Sequence, residues 1–425
     1  MKVELLYGRG HIEVELPDDN LMQVLNKPYL PPLADSGAAM EEGLTHPIGA
    51  QPLSRIAQGK RNAVVTISDI TRPVPNKVIM PPILRTLEAA GIPRDQVTIL
   101  VATGIHRPAT DAELLEMLGE DIVANYRIVS HDARKEDEQA YVGDTERGTP
   151  IWIDRLYIEA DLKVVTGLIE PHFMAGFSGG RKGICPGLVG IPTVARQHGP
   201  VYLEDPKAAS GSLEGNPFHE EATEVALGAG CDFLVNAVIN EKREVVGLFC
   251  GDLIEAHKAG VELCKQIVRV EVEEPVDIVV TSAAGYPLDS NYYQTVKGMV
   301  EASRLLKPGG ILVVASKCTD GLGSEEFQSE LGKASCLKSY VKSLCEPGYF
   351  VVDQWEVEML AKALNGAEAY IYTEVLCQDD CMLGHIQLVS SVEEGVAKAI
   401  AKLGAKAKLI AIPEGPYVMG VLRSK

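Results

Sequence analysis

The sequence predicts an α/β protein of two domains, with mostly parallel sheets flanked by helices and a functional site in the cleft between them. Three observations carry this expectation. Apolar, β-rich runs alternate with segments of helical period. A chain of 425 residues is longer than one hydrophobic core organises. Polar and glycine-rich motifs follow directly on several apolar runs, where open α/β sheets recruit their ligands.

Strands are expected at 63–67, 97–102, 162–166, 277–281, 310–315 and 408–412. Each is nearly continuously apolar, as suits a parallel strand covered on both faces. Helices are expected at 78–90, 111–118, 255–268, 357–364 and 392–403, where apolar residues recur every three or four positions. Residues 26–50, rich in Pro, Gly and Ala, read as a long surface or lining loop. The charged stretch 270–275 ends in Pro275, and a new strand–helix series opens at Asp277. This divides the chain into a larger domain, 1–272, and a smaller one, 273–425.

Charged residues make up 23% and apolar residues 46%, the balance of a folded chain. The formal net charge of -19 repels phosphate backbones and anionic lipid, so neither nucleic acid nor a membrane is expected as a partner. No run approaches the ~18 apolar residues of a membrane span. The N-terminal residues lack the apolar core of a signal peptide, so a cytoplasmic protein is expected. The nine cysteines are scattered with no Cys-x-x-Cys pair, which reads as free thiols. Cys377 and Cys381 have no second ligand pair to make a zinc site with them. Self-association is compatible with the sequence.

Five segments could carry chemistry. In Ser68–Pro73 (SDITRP), Asp69 can accept from ribose hydroxyls, Thr71 can donate, and Arg72 offers a planar fork to phosphate or carboxylate. A plain helix cap with a surface arginine fits the same residues. In 102–107 (ATGIHR), His106 sits on a post-strand loop, and an imidazole there is a suitable group for acid–base work. In 167–187, Gly176, Gly179, Gly180, Gly183 and Gly187 let backbone approach an anion closely, and they surround His172 and Lys182. Their density argues against a regular element, and their spacing is not that of a Walker A loop. A lysine inside such a run is poorly solvated and suits a reactive or anchoring amine. In 193–200, His198 ends a short helical stretch before Gly199 and Pro200. The spacing leaves open whether His106, His172 and His198 form a three-histidine metal site, or one ligand and two acid–base groups. In 285–298, Tyr293, Gln294 and Lys297 fall on the first turn of a helix, where an anion is well received.

Taken together, these segments resemble the nickel-dependent lactate racemase family, in order and spacing, over nearly the whole chain. The stretch from His172 through Lys182 to His198 is the most specific part. The resemblance implies a 2-hydroxyacid racemase or epimerase built around a nickel-pincer nucleotide, pyridinium-3,5-bisthiocarboxylic acid mononucleotide. It implies that Lys182 carries this nucleotide covalently and that His198 is the protein's nickel ligand. Asp69, Ile70, Thr71 and Arg72, with Gly179 and Gly180, match the cofactor-binding stretches. His106 and His172 match the two catalytic histidines. Gln294 and Lys297 match the substrate-contacting pair, with Tyr293 and Trp355 close by. The implied partners are a small 2-hydroxy acid and, transiently, the enzymes that make the cofactor.

Other readings are a racemase of malate, a longer-chain or a sugar acid, and a non-catalytic metal- or nucleotide-binding protein on the same scaffold. An NAD-dependent dehydrogenase lacks its Gly-x-Gly-x-x-Gly after a strand. A zinc hydrolase would need an activating carboxylate, for which Glu170 is the nearby candidate. A four-carbon diacid would need a further cation, which Arg107 or Arg181 could supply.

Overall fold

The structure is a computed structural model, and it describes residues 1–346 and 348–423. Two six-stranded sheets organise it. The first runs, in spatial order, Val245–Gly251, Phe233–Ile239, Lys163–Leu168, Ala63–Ser68, Val97–Ala102 and Arg127–Ser130. All its neighbours are parallel except the antiparallel edge strand Val245–Gly251. The second runs Gln387–Val389, Glu368–Tyr372, Leu306–Ala315, Val276–Ser282, Leu409–Ile412 and Leu21–Val24, parallel throughout. Val65, Ile67, Ile99 and Val101 are fully buried on the central strands of the first sheet. Each such side chain contributes roughly 1.5–3 kcal/mol of burial, which is why these segments read as strands from composition alone.

All six expected strands and all five expected helices are present, with ends shifted by a few residues. The helices are Asn76–Ala89, Asp111–Leu118, Glu255–Val268, Gln354–Ala363 and Val392–Leu403. Two expectations change. Within 26–50, Ser36–Thr45 forms a helix, started by Asp35, whose side chain accepts from Ala38 N at 2.9 Å, and seated through Met40 and Leu44. The first 25 residues, expected with the first domain, lie on the second sheet. The hairpin Lys2–Tyr7/Gly10–Glu15 covers it with Val3, Leu5 and Val14, and Leu21–Val24 becomes its edge strand. A second tie is the parallel pair Arg269–Val272 and Met419–Leu422.

Strand order places the site. In the first sheet the chain builds outward in one direction from Ala63–Ser68 and in the other from Lys163–Leu168. The connections leaving these two neighbours therefore diverge and open a crevice at their carboxyl ends. In the second sheet the chain builds outward in one direction from Val276–Ser282, whose other neighbour, Leu409–Ile412, is the sheet's last strand in sequence. Residues following the first sheet's reversal point and residues following Val276–Ser282 line one common cavity.

Candidate active site

Immediately after Ala63–Ser68, the chain turns on Asp69. Its Oδ1 accepts from Thr71 N at 3.2 Å and Thr71 Oγ1 at 2.6 Å, and its Oδ2 lies 2.6 Å from His106 Nδ1. Burial alone would raise this carboxyl. His106, Thr71 and Arg72 outweigh that and hold it down at about 2. Asp69 thus caps no helix, and its side chain is committed to its neighbours. Arg72 Nε faces Glu170 Oε1 at 3.3 Å, both side chains mostly buried. Burial pushes Glu170 up, against the pull of Arg72 and Lys27.

His106 follows Val97–Ala102, on a loop that Gly104 makes possible. Gly104 is left-handed (φ 57°) and its N donates to Gly187 O at 2.9 Å. A Cβ there would meet Pro186 O at 3.2 Å, so the close approach of the histidine loop to the lysine loop needs a glycine.

The glycine-rich stretch is more ordered than its composition suggests. Pro171–His172 and Gly176–Phe177 form a miniature antiparallel pair, and Gly180–Gly183 forms a 3₁₀ turn. Ser178 Oγ donates to Leu168 O at 2.6 Å, and Gly180 N donates to Asn236 Oδ1 at 2.8 Å. Gly179 (φ 70°) and Gly180 (φ 54°) are both left-handed, and a Cβ on either would fall under 3.0 Å from Asn236 or the His257 ring. The turn sends its two cations opposite ways. Arg181 goes into the core, donating to Ala175 O at 2.7 Å. Lys182 goes into the cavity, its Nζ 5.8 Å from the Phe218 ring centre, with no hydrogen bond or ion pair from any described residue. Burial, then Arg181 and Arg72, keep its amine well below the ordinary lysine range.

His172 Nδ1 accepts from the amides of Met174 (3.3 Å) and Ala175 (3.2 Å). Burial, then Lys182, Arg72 and Lys297, hold its pKa well below the usual value. His198 caps the helix Ile191–Gln197 and packs 4.7 Å from Trp355 and edge-on to Phe218 at 4.9 Å. Burial, then Lys182, lower it to about 3, so the ring is neutral. Its Nδ1 is buried without a partner among the described residues.

From the second sheet, Asn291 starts the helix Tyr292–Ser303 by accepting from Gln294 N at 2.9 Å. One turn on, Lys297 Nζ donates to Gln294 Oε1 at 2.5 Å and sits 5.8 Å from the Tyr293 ring and 6.0 Å from Phe173. Trp355 Nε1 donates to Tyr293 Oη at 3.0 Å. Glu356, beside Trp355, is a buried cavity carboxylate that sequence reasoning did not single out. Burial raises it and lowers Lys297, while the two charges favour each other. The acidic residue on an apolar helix face was the available signal.

The cavity has a volume of about 140 Å³ and is partly open to solvent. It gathers Asp69, Thr71, Arg72, His106, His172, Gly179, Lys182, His198, Tyr293, Lys297 and Trp355. Ile70 and Gln294 lie on an adjoining cleft of about 610 Å³, and Gly180 lies behind the wall against His257. Among the described residues no three His, Cys, Asp or Glu side chains gather into a metal site, which removes the three-histidine arrangement. Glu170 faces Arg72 rather than any of these histidines. Of the two arginines considered for a diacid, Arg181 points away and Arg107 is paired with Glu113 at 2.6 Å. The nine cysteines form no disulfide, and among the described residues no helix is long and apolar enough to cross a membrane.

Comparison with known proteins gives a consistent result. The family description "lactate racemase N-terminal domain" matches residues 7–211, and "lactate racemase C-terminal domain" matches 271–420. The lactate racemase of Lactiplantibacillus plantarum is 34% identical over 418 residues, covering 97% of this chain and 98% of that one. That of Thermoanaerobacterium thermosaccharolyticum is 35% identical over 377 residues, covering 88% of each. The solved lactate racemase apoprotein from T. thermosaccharolyticum superposes with a TM-score of 0.92 at 33% identity, over 99% of this chain and 100% of that chain. A Thermotoga maritima protein, at 18% identity and TM-score 0.71 over 93% of this chain and 100% of that chain, shares the fold.

Proposed function

The chain belongs to the lactate racemase family, and from that premise we propose that it is an isomerase inverting the 2-hydroxy carbon of a short 2-hydroxy acid, lactate or a close relative. The observation that carries the reading is one cavity, at the strand reversal of the first sheet, holding an unbonded lysine amine, a neutral histidine with a free ring nitrogen, two further histidines and a buried ammonium.

These residues fit a lysine-tethered nickel-pincer nucleotide. Lys182 Nζ is unbonded and held toward its neutral, nucleophilic form, as a covalent link to a thiocarboxylate requires. His198 is an unprotonated nitrogen donor packed between two aromatic rings, which suits a soft-to-borderline metal. Arg72, shared with Glu170, offers a cation to a phosphate, with Asp69, Ile70, Thr71, Gly179 and Gly180 shaping the backbone beside it. When bound, the group supplies a ring carbon next to nickel that can take and return a hydride at C2 of the substrate.

The protein's own residues supply position and proton transfer. A Cα–H beside a hydroxyl and a carboxylate is too weak an acid for a histidine to deprotonate, so the hydroxyl proton is the one these residues move. His106 and His172 exchange it at the hydroxyl oxygen. Lys297 holds the carboxylate, and Gln294, bonded to Lys297, orients it. Trp355 and Phe173 wall the space from water. Neither Arg107, paired with Glu113, nor Arg181, which faces the core, stands ready for a second carboxylate. A short monocarboxylate is therefore the better match. The protein works in the cytoplasm and receives its cofactor from the enzymes that make it.

The test is intact mass and nickel content of protein produced with the cofactor-making enzymes, then a panel of 2-hydroxy acids. A mononucleotide adduct on the Lys182 peptide with stoichiometric nickel, and turnover of lactate or a close relative, is the expected result. An unmodified, nickel-free protein that turns over none of them under these conditions overturns the proposal.

A further inference from the structure

The two cavity histidines face opposite hydrogen-bonding partners. A carboxylate only accepts, so His106 Nδ1, 2.6 Å from Asp69 Oδ2, carries hydrogen, and the neutral ring keeps its lone pair on Nε2. A backbone amide only donates, so His172 Nδ1, facing the amides of Met174 and Ala175, is a lone pair, and its Nε2 carries the hydrogen. With Nδ1 turned to the protein in both, Nε2 is the ring nitrogen left for the cavity that both rings line. The Asp69 side chain is well placed to impose its half of this arrangement. It is buried at 7% exposure, and Oδ1 is already occupied by Thr71 N and Oγ1, which fixes the carboxylate plane and leaves Oδ2 for the ring.

We infer that Asp69 is the positioning residue of His106, and that the histidine pair is set in opposite tautomers, His106 as proton acceptor and His172 as hydrogen donor. The inference rests on the racemase reading above for its catalytic meaning, though the tautomers stand on geometry alone. The enantiomer whose hydroxyl meets His106 finds a base in place. Its O–H bond breaks, Nε2–H forms, and the imidazolium charge is met by Asp69; the hydride acceptor for C2 would be supplied by the cofactor when bound. The enantiomer whose hydroxyl meets His172 finds an N–H and waits for that ring to lose its proton. Enantiomers have equal free energy, so kcat/KM must be the same in both directions. The asymmetry therefore appears in kcat and KM separately.

The test is long-range ¹H–¹⁵N correlation of the full-length, ¹⁵N-histidine-labelled chain produced without cofactor, each ring assigned by its loss in His106→Gln and His172→Gln. The expected spectrum shows Nδ1–H at His106 and Nε2–H at His172. In Asp69→Asn the side-chain amide can donate to Nδ1, so His106 should switch to Nε2–H. The cofactor-loaded variant should keep its mass adduct at Lys182 while kcat falls on the order of 10²–10⁴-fold. A wild-type His106 with hydrogen on Nε2 overturns the inference. So does an Asp69→Asn protein that loses the adduct while its His106 signal is unchanged, because Asp69 then serves the cofactor instead. If the expected tautomers are seen in a chain that takes no cofactor and turns over no hydroxy acid, the racemase reading fails and the positioning role stands.

Discussion

Lys297 lies under two aromatic rings with its ammonium buried, so its worth to an anionic ligand is large. A buried charge-assisted hydrogen bond contributes about 1.5–3 kcal/mol. Lys297→Ala should therefore raise KM for the hydroxy acid about 10–100-fold in steady-state kinetics, while intact mass shows the Lys182 adduct unchanged. His257 makes a different prediction. Burial, then Arg181, lower it to about 3, against an ordinary value of 6.5. As pH falls below 6.5, the unfolded chain takes up this proton and the folded one does not, so stability is lost from there down to about 3. Replacing His257 by Gln should shrink the loss of urea-unfolding free energy between pH 7.5 and pH 4.5 by up to about 3 kcal/mol. A difference that does not change with pH would mean the ring protonates freely in the fold.

The loop that presents Lys182 depends on two glycines in sequence. Gly180→Ala places a Cβ 2.7 Å from the His257 ring in left-handed backbone, which costs about 1–3 kcal/mol and displaces the turn. The expected result is a lower Tm and slower adduct formation at Lys182 under limiting cofactor, read by mass. How far such elements could be read from sequence followed their burial. The strands at 63–67 and 97–102 are buried on both faces and announced themselves. Leu21–Val24 is four residues long and mostly half-exposed at a sheet edge, so it carries no apolar run. Phe233–Ile239 is interrupted by Asn236, whose polarity serves the backbone of Gly180 rather than the strand. Ser36–Thr45 buries only Met40 and Leu44, too narrow a stripe to outweigh the surrounding Pro and Gly. Many of the residues that line the cavity were legible because post-strand loops concentrate them. Glu356, on a helix buried nearly throughout, was not. The Asp69–His106 pair, 37 positions apart, becomes visible only when neighbouring strands bring the two loops together.

At the scale of the whole molecule, the two sheets share more than a cleft. Leu21–Val24 pairs with Leu409–Ile412, and Arg269–Val272 pairs with Met419–Leu422. A chain beginning at residue 273 would expose the strand Leu409–Ile412 as a bare edge and strip the hairpin from Val280 and Val313. Such an edge invites association. That fragment is expected to aggregate on refolding, and mixing it with a peptide of residues 1–25 should raise the soluble fraction in a sedimentation assay.

The edge strand at Leu21–Val24 also constrains how these proteins can be recombined. Exchanging substrate preference between two relatives by swapping everything after residue 272 would leave each hybrid with a mismatched edge strand and cover. In this fold residues 1–25 are therefore structurally part of the sheet built from 273 onward, and the intervening segment carries Lys182 and the three cavity histidines.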